Sequence, residues 1–168
     1  MQASEIDWDA IYAEQLPRVY NFFRYRVGEG PVAEDLTATT FEKAWRGRMR
    51  YRRDRGAFTT WLFSIARNVA TDYFRKNGRE FPLDEAHLES APTLVETTVE
   101  RRHDFAHLSE LLSQLSARER ELIAHKYGAE LDNRTIAHLA HLSESNVGTI
   151  LNRSVKKLRA AWEAEDER

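Results

Sequence analysis

The sequence predicts an all-α protein. It reads as two small helical domains joined by a flexible acidic linker, the C-terminal one a helix-turn-helix domain. Three observations carry this. Apolar residues recur three and four apart in both halves, and no stretch alternates with the period of a strand. That periodicity fades from Asn77 to about Val95, where Pro82 and Pro92 stand among acidic and small residues. Finally, Asn133 to Arg153 has the proportions of a short helix, a tight turn and a longer helix. The expected boundaries are 5–77, 78–104 and 105–165.

The elements follow in chain order. Tyr12, Leu16, Val19, Tyr20, Phe23 and Val27 form a first helical stripe, with a kink or restart expected at Pro17, which lacks an amide donor. Gly28-Glu29-Gly30-Pro31 is a stop followed by a start, proline being suited to a first helical turn. Val32, Leu36, Thr40 and Ala44 make the next stripe, joined by Phe41 and Trp45, and a basic loop runs from about Arg46 to Arg55. Phe58, Trp61, Leu62, Ile65, Ala66, Val69 and Tyr73 define a third helix. In the second half, Leu108, Leu111, Leu112 and Leu115 form a stripe. Ser116 and Glu119 then have capping-box spacing, which lets each satisfy the other's open amide. Leu122, Ile123 and Tyr127 continue inward to a stop at Gly128. Ile136, Ala137, Leu139 and Ala140 belong to the short helix before the turn at His141-Leu142-Ser143, where histidine stands at a position favouring positive φ. Ser143 is placed to cap the last helix, which buries Val147, Ile150, Leu151, Ser154, Val155, Leu158 and Trp162.

Charge is distributed in blocks. The net charge is −2, but Lys43 to Arg79 carries +9 over 37 residues, between stretches of −5 and −6. Aromatics interleave with the cations there, which suits phosphates and exposed bases better than a merely solvated face. The absence of cysteine excludes a disulfide scaffold and thiolate chemistry. No apolar run approaches the roughly 20 residues of a membrane span, and Met1 to Glu5 lacks the basic start and apolar stretch of a signal peptide. A cytoplasmic protein without membrane insertion is expected.

Two constellations point to nucleic acid. The outward face of the last helix offers Ser145, Asn146, Thr149, Asn152, Arg153, Lys156 and Lys157, groups that hydrogen-bond base edges and hold phosphates. Tyr51 to Asn68 combines cations, aromatic faces and amides, as capture of unpaired bases requires. Within it, Trp61, Ile65 and Val69 are expected in the core, and Tyr51, Arg52 and Asn68 at a site.

Glu34-Asp35-Leu36 with Phe41, Ala44 and Trp45, followed by Phe58-Thr59-Thr60-Trp61-Leu62-Phe63-Ser64-Ile65-Ala66-Arg67-Asn68, resembles the second conserved region of extracytoplasmic-function sigma factors of bacterial RNA polymerase. Leu115 to Glu121, and the helix-turn-helix ending Val155-Lys156-Lys157-Leu158-Arg159, resemble their fourth region. The resemblance implies an alternative sigma factor that directs polymerase to specific promoters and assists −10 melting. It implies docking on the clamp helices of the polymerase's largest subunit through Glu34, Asp35, Leu36, Thr40, Phe41 and Trp45. It implies −10 contacts by Tyr51, Arg52, Arg67, Asn68, Arg75 and Lys76, and −35 contacts by Ser145, Asn146, Thr149, Arg153 and Lys156. The implied partners are core RNA polymerase, promoter DNA and an anti-sigma protein. The linker would thread towards the RNA exit path. Where the family usually has Gln and Glu after Asp-Leu, two residues on, this chain has Ala38 and Thr39; where it has Leu-Pro, this chain has Leu115-Ser116; and Thr135 replaces an acidic residue.

Two other readings meet the same residues. A conventional regulator explains the helix-turn-helix but leaves the aromatic-basic segment without a role. A zinc protein would use His103 with His107, or His138 with His141, spaced as ligands on a helix, but no third ligand is evident. Asp54 and Asp72 have no acid–base partner pattern. No cofactor, metal or catalytic activity is expected.

Overall fold

The computed structural model describes residues 6–77 and 97–168. Among these residues every regular element is helical, as the periodicities require. The helices are α1 (Trp8–Val27), α2 (Pro31–Arg46), α3 (Phe58–Asn77), α4 (Thr97–Leu112), α5 (Ala117–Ile123), α6 (Asn133–Ala140) and α7 (Glu144–Asp166). Two short 3₁₀ turns, Arg48–Arg50 and Arg53–Arg55, lie between α2 and α3, and α5 runs into a π turn at Ala124–Gly128. Most of the expected linker, up to residue 96, lies outside the described residues. Residues 97–104, assigned to it from sequence, are the opening turns of α4.

Helix α1 starts at Asp7, whose carboxylate accepts from the Ala10 amide at 3.1 Å. The kink or restart expected at Pro17 does not divide it: one helix runs from Trp8 to Val27. The lost amide is tolerated because Val19, Phe22 and Phe23, just beyond it, are completely buried and anchor the helix on both α3 and the C-terminal half. Helix α2 opens with Pro31 in its first turn. Its buried Thr37 and Thr40 hydroxyls donate to the Ala33 and Leu36 carbonyls at 2.7 and 2.8 Å, which satisfies them without water.

The capping box of α5 is formed: the Glu119 amide donates to Ser116 Oγ and the Ser116 amide to Glu119 Oε1, both at 3.2 Å. Glu119 also ties α5 to α7, accepting from Lys157 Nζ at 2.9 Å and Ser154 Oγ at 3.3 Å. Burial pushes this carboxyl up, but the bonds from Lys157 and Ser116 prevail and bring its pKa to about 2. Lys157, placed on the outward face from sequence, is thus held against α5. Arg120, nearly completely buried, donates to the Leu112, Ser113 and Leu115 carbonyls at 2.9, 3.2 and 3.1 Å and closes the α4–α5 turn. The histidine turn is as expected: His141 has φ 56° and ψ 44°, and Ser143 Oγ accepts from the Asn146 amide at 3.0 Å to start α7.

The π turn changes one expectation. A wider turn shifts the helical register, so Ala124 and His125 point inward and Tyr127, expected inward with Leu122 and Ile123, is half exposed. Gly128 stands where the chain leaves this turn, with a reason the sequence did not show. A Cβ there would lie 2.8 Å from the Asn21 carbonyl oxygen and 3.1 Å from Phe22 Cα, both backbone atoms of α1.

Candidate nucleic-acid interface

Aromatic packing shapes the basic loop between α2 and α3. Trp8 meets Trp45 and Phe58 edge-on at 5.5 and 5.6 Å, and Tyr51 lies 5.3 Å from both Phe58 and Trp61. The Tyr51 hydroxyl donates to the Gly56 carbonyl at 3.1 Å, which pins the loop across its own width. Arg48 lies over the Trp45 ring at 3.9 Å, and Arg52 pairs with Asp54 at 3.3 Å. Trp61, expected in the core, is only partly buried and shows one side to the adjoining cleft.

That cleft has a volume of about 500 Å³. Tyr51 and Trp61 form an aromatic wall, and Arg50, Arg52, Arg55 and Arg67 supply positive charge with no carboxylate among the lining residues. Asn68 also lines it and is an exposed residue. Stacking surfaces, cations and an amide therefore converge on one hollow, the arrangement that holds unpaired bases by their faces, phosphates and edges. Arg50 and Arg55 were not singled out from sequence; the basic run held them without showing which of its members face inward. Arg75 and Lys76 lie exposed on the last turn of α3, outside the cleft, where Asp72 approaches Arg75 to 3.6 Å.

Arg67 is placed differently from the other cations. Its Nε donates to Glu121 Oε1 of α5, across the junction between the two halves. Burial raises the Glu121 carboxyl, but the Arg67 and Arg26 guanidiniums outweigh it and hold the pKa well below the usual carboxylate range. His125 is completely buried, and neither ring nitrogen has a hydrogen-bond partner. Desolvation lowers its pKa more than Glu121 raises it, so the ring is neutral.

The residues expected to dock polymerase divide in two. Leu36 and Thr40 are core residues, Thr40 with no exposed surface. Glu34, Asp35 and Trp45 are exposed, Trp45 by 51%, and Phe41 is partly so. Beside them an apolar groove of about 450 Å³ runs between α1 and α2, walled by Tyr12, Leu16, Tyr20, Ala38 and Phe41. On α7, Ser145, Asn146, Thr149, Arg153 and Lys156 are all exposed on one face. Val147 and Leu151 are buried opposite them, and Ala137 of α6 is buried in the same core. Gly148 has open surroundings, the nearest atom to a Cβ being Asn133 Nδ2 at 3.8 Å, so no close approach within the fold demands glycine. The histidine pairs do not converge as ligands: His107 pairs with Glu165 and lies against Trp162 at 4.2 Å, while His141 makes the turn.

Residues 11–80 match the family model for sigma-70 region 2, and residues 106–158 match that for sigma-70 region 4. The chain is an extracytoplasmic-function sigma factor. It directs RNA polymerase to specific promoters, and its family is one of transcription initiation factors. The ECF sigma factor SigM of Bacillus subtilis is 29% identical over 158 residues, covering 92% of this chain and 94% of that relative. BldN of Streptomyces coelicolor is 30% identical over 94% of this sigma factor, which spans 61% of its length. Two solved structures share the fold. The sigma factor RpoE of Bartonella quintana, in complex with the anti-sigma factor NepR, has a TM-score of 0.71 at 21% identity, over 94% of this chain and 97% of that one. CnrH, in complex with the cytosolic domain of CnrY, has a TM-score of 0.64 at 21% identity, over 92% and 84%. No described helix of this sigma factor is long and apolar enough to cross a membrane.

Proposed function

We propose that the sigma factor divides promoter recognition between its halves, region 2 spanning 5–77 and region 4 spanning 105–165, with 78–104 between them. The observation that carries this is the pairing of a cleft whose aromatic wall and arginines come from the first half with an exposed polar recognition helix in the second. Tyr51, Arg52 and Asn68 hold the displaced −10 strand by stacking and edge contacts, which assists melting; Arg67, Arg75 and Lys76 hold its phosphates. Ser145, Asn146, Thr149, Arg153 and Lys156 enter the major groove at −35. Glu34, Asp35, Phe41 and Trp45 meet the core polymerase, with Leu36 and Thr40 shaping α2 from within. Ala38, smaller than the glutamine usual there, leaves the apolar groove open beside them.

The protein acts in the cytoplasm and has no catalytic activity, cofactor or metal of its own. An anti-sigma protein is its regulator, a reading supported by the complexes in which RpoE and CnrH were solved. Run-off transcription with core polymerase on a library of upstream fragments tests the central reading. Initiation that depends on this protein is expected. Sequence-specific duplex binding by the protein alone, without any initiation, would instead make it a conventional regulator.

A further inference from the structure

The cleft assigned above to the displaced −10 strand has the dimensions of a site for something smaller. Its volume is about 500 Å³, and pockets for single small molecules run from about 300 to 1,000 Å³. A strand has to enter such a hollow and leave it again. Here His138, Leu139 and His141 of the second half complete the lining that Tyr51, Trp61 and Asn68 begin.

The charge of the cleft is only half compensated within the protein. Arg52 pairs with Asp54 at 3.3 Å, and Arg67 donates to Glu121. Arg50 and Arg55 have no ion pair and no side-chain hydrogen bond among the described residues. They end two separate 3₁₀ turns, Arg48–Arg50 and Arg53–Arg55, on a loop that the Tyr51 hydroxyl pins to Gly56. Two guanidiniums held at separate points suit a chain of linked phosphates, each open to a two-pronged bond. The rings of Tyr51 and Trp61, 5.3 Å apart and tilted by 45°, offer apolar faces to one base. Thr60 and Asn68 also line the cleft, and their side chains make no hydrogen bond among the described residues, which leaves them for a base edge or a sugar. With no carboxylate in the lining to share a magnesium ion, phosphate is met by arginine alone.

We infer that the cleft is also a site for a free nucleoside polyphosphate, its phosphates on Arg50 and Arg55 and its base against Tyr51 and Trp61. The inference rests on the reading of this cleft as a nucleic-acid site and adds a second ligand to it. A nucleotide seated there covers the stacking wall that the displaced strand uses. The two therefore exclude each other, and promoter opening falls as the nucleotide concentration rises.

Titration calorimetry of the full chain with magnesium-free ATP, beside adenosine and inorganic tripolyphosphate, tests this. ATP is expected to bind about tenfold or more tighter than either, because neither makes both the stacking and the phosphate contacts. Arg50→Gln and Arg55→Gln are each expected to weaken ATP about fivefold or more, and Trp61→Leu to bring it down towards tripolyphosphate. Circular dichroism verifies folding; should Trp61→Leu lose the helical signal, the comparison of ATP with tripolyphosphate decides the base contact alone. Tripolyphosphate binding as tightly as ATP would reduce the cleft to a general anion site and overturn the inference, as would ATP affinity unmoved by both arginine variants. A fluorescent pool of random single-stranded 12-mers separates this from strand capture, and ATP is expected to displace it. If the pool binds through Arg50 and Arg55 while ATP at about 1 mM neither binds nor displaces it, the free-nucleotide site is wrong and strand capture stands. If neither ligand binds, strand capture at this cleft falls and the inference falls with it.

Discussion

Replacing Arg120 by methionine keeps the length and most of the apolar stem of a nearly completely buried side chain but removes its charge and donors. Its guanidinium is bonded to the carbonyls of Leu112, Ser113 and Leu115, where α4 ends and α5 begins. A buried ion pair can often be exchanged for apolar residues at little net loss, because both partners are replaced together. Here the partners are backbone carbonyls, which stay buried whatever stands at position 120. Each hydrogen bond to a charged group contributes about 1.5–3 kcal/mol, and stranded acceptors cost about 1–3 kcal/mol. Three such bonds share one donor group and do not add fully, so the expected loss is about 3–5 kcal/mol. A unit of about 70 residues has only about 4–10 kcal/mol in total, so most of the stability of the C-terminal half is at stake. Urea unfolding followed by circular dichroism is expected to show a midpoint lower by about 2 M for a slope of about 2 kcal/mol per molar. Arg120→Lys, a single point charge that cannot span three carbonyls, should recover less than half of this. A midpoint within about 0.3 M of the wild type for Arg120→Met would refute the reasoning.

Three further outcomes are expected. Acid should open the junction between the halves. His125 is neutral there, facing Glu121 from α5, Arg26 from α1 and Arg67 from α3, with its pKa below the ordinary 6.5. The separated form therefore takes up a proton first, and the closed form loses stability as pH falls below about 6.5. Glu121, held well below its ordinary 4.5, gives a second loss only below about pH 4.5. Energy transfer between the two halves should thus fall between pH 7.5 and 5.5 in the wild type and stay level in His125→Phe; a response in both would exclude this histidine. Asn68→Ala should impair promoter opening, read by permanganate reactivity, about tenfold while leaving duplex binding within twofold, since a lost hydrogen bond of about 1–1.5 kcal/mol is made only to the open strand. Equal losses at both steps would contradict strand capture. Arg153→Ala should weaken binding to a −35 duplex by about tenfold or more and relax preference at one base pair. A uniform loss over all sequences, with the salt slope smaller by about 1, would assign Arg153 to a phosphate instead.

Much of the fold was legible because its causes are local. The stripes at 12–27, 32–45 and 58–73 state which face of each helix is apolar, and the middles of those faces are buried, while Tyr12 and Trp45 at the stripe ends are about half exposed. Ser116 with Glu119, and Ser143, announced their caps because a hydroxyl three residues before an open amide has few other uses. His141 could be read as a positive-φ turn because a helix pair so close in sequence needs one. Pro17 misled, since the cost of one missing hydrogen bond is local and the burial that outweighs it is not. Tyr127 misled because a π turn leaves no mark in a pattern read at 3.6 residues per turn.

What the sequence by itself determined is therefore the set of helices, their apolar faces, the helix-turn-helix and the block of charge that marks a nucleic-acid partner. What the tertiary structure decided is which faces meet. Periodicity says that Phe22 and Leu122 must be buried, but not that they share one core. Nothing near Arg67 in the chain foretells Glu121, nor anything near Asn21 that Gly128 will press against it. Those pairs depend on the packing of surfaces far apart in the chain, where shape and desolvation are settled by the whole assembly of helices. For that reason the same cationic segment yields Arg52 open to solvent and Arg67 held by a carboxylate from the other half.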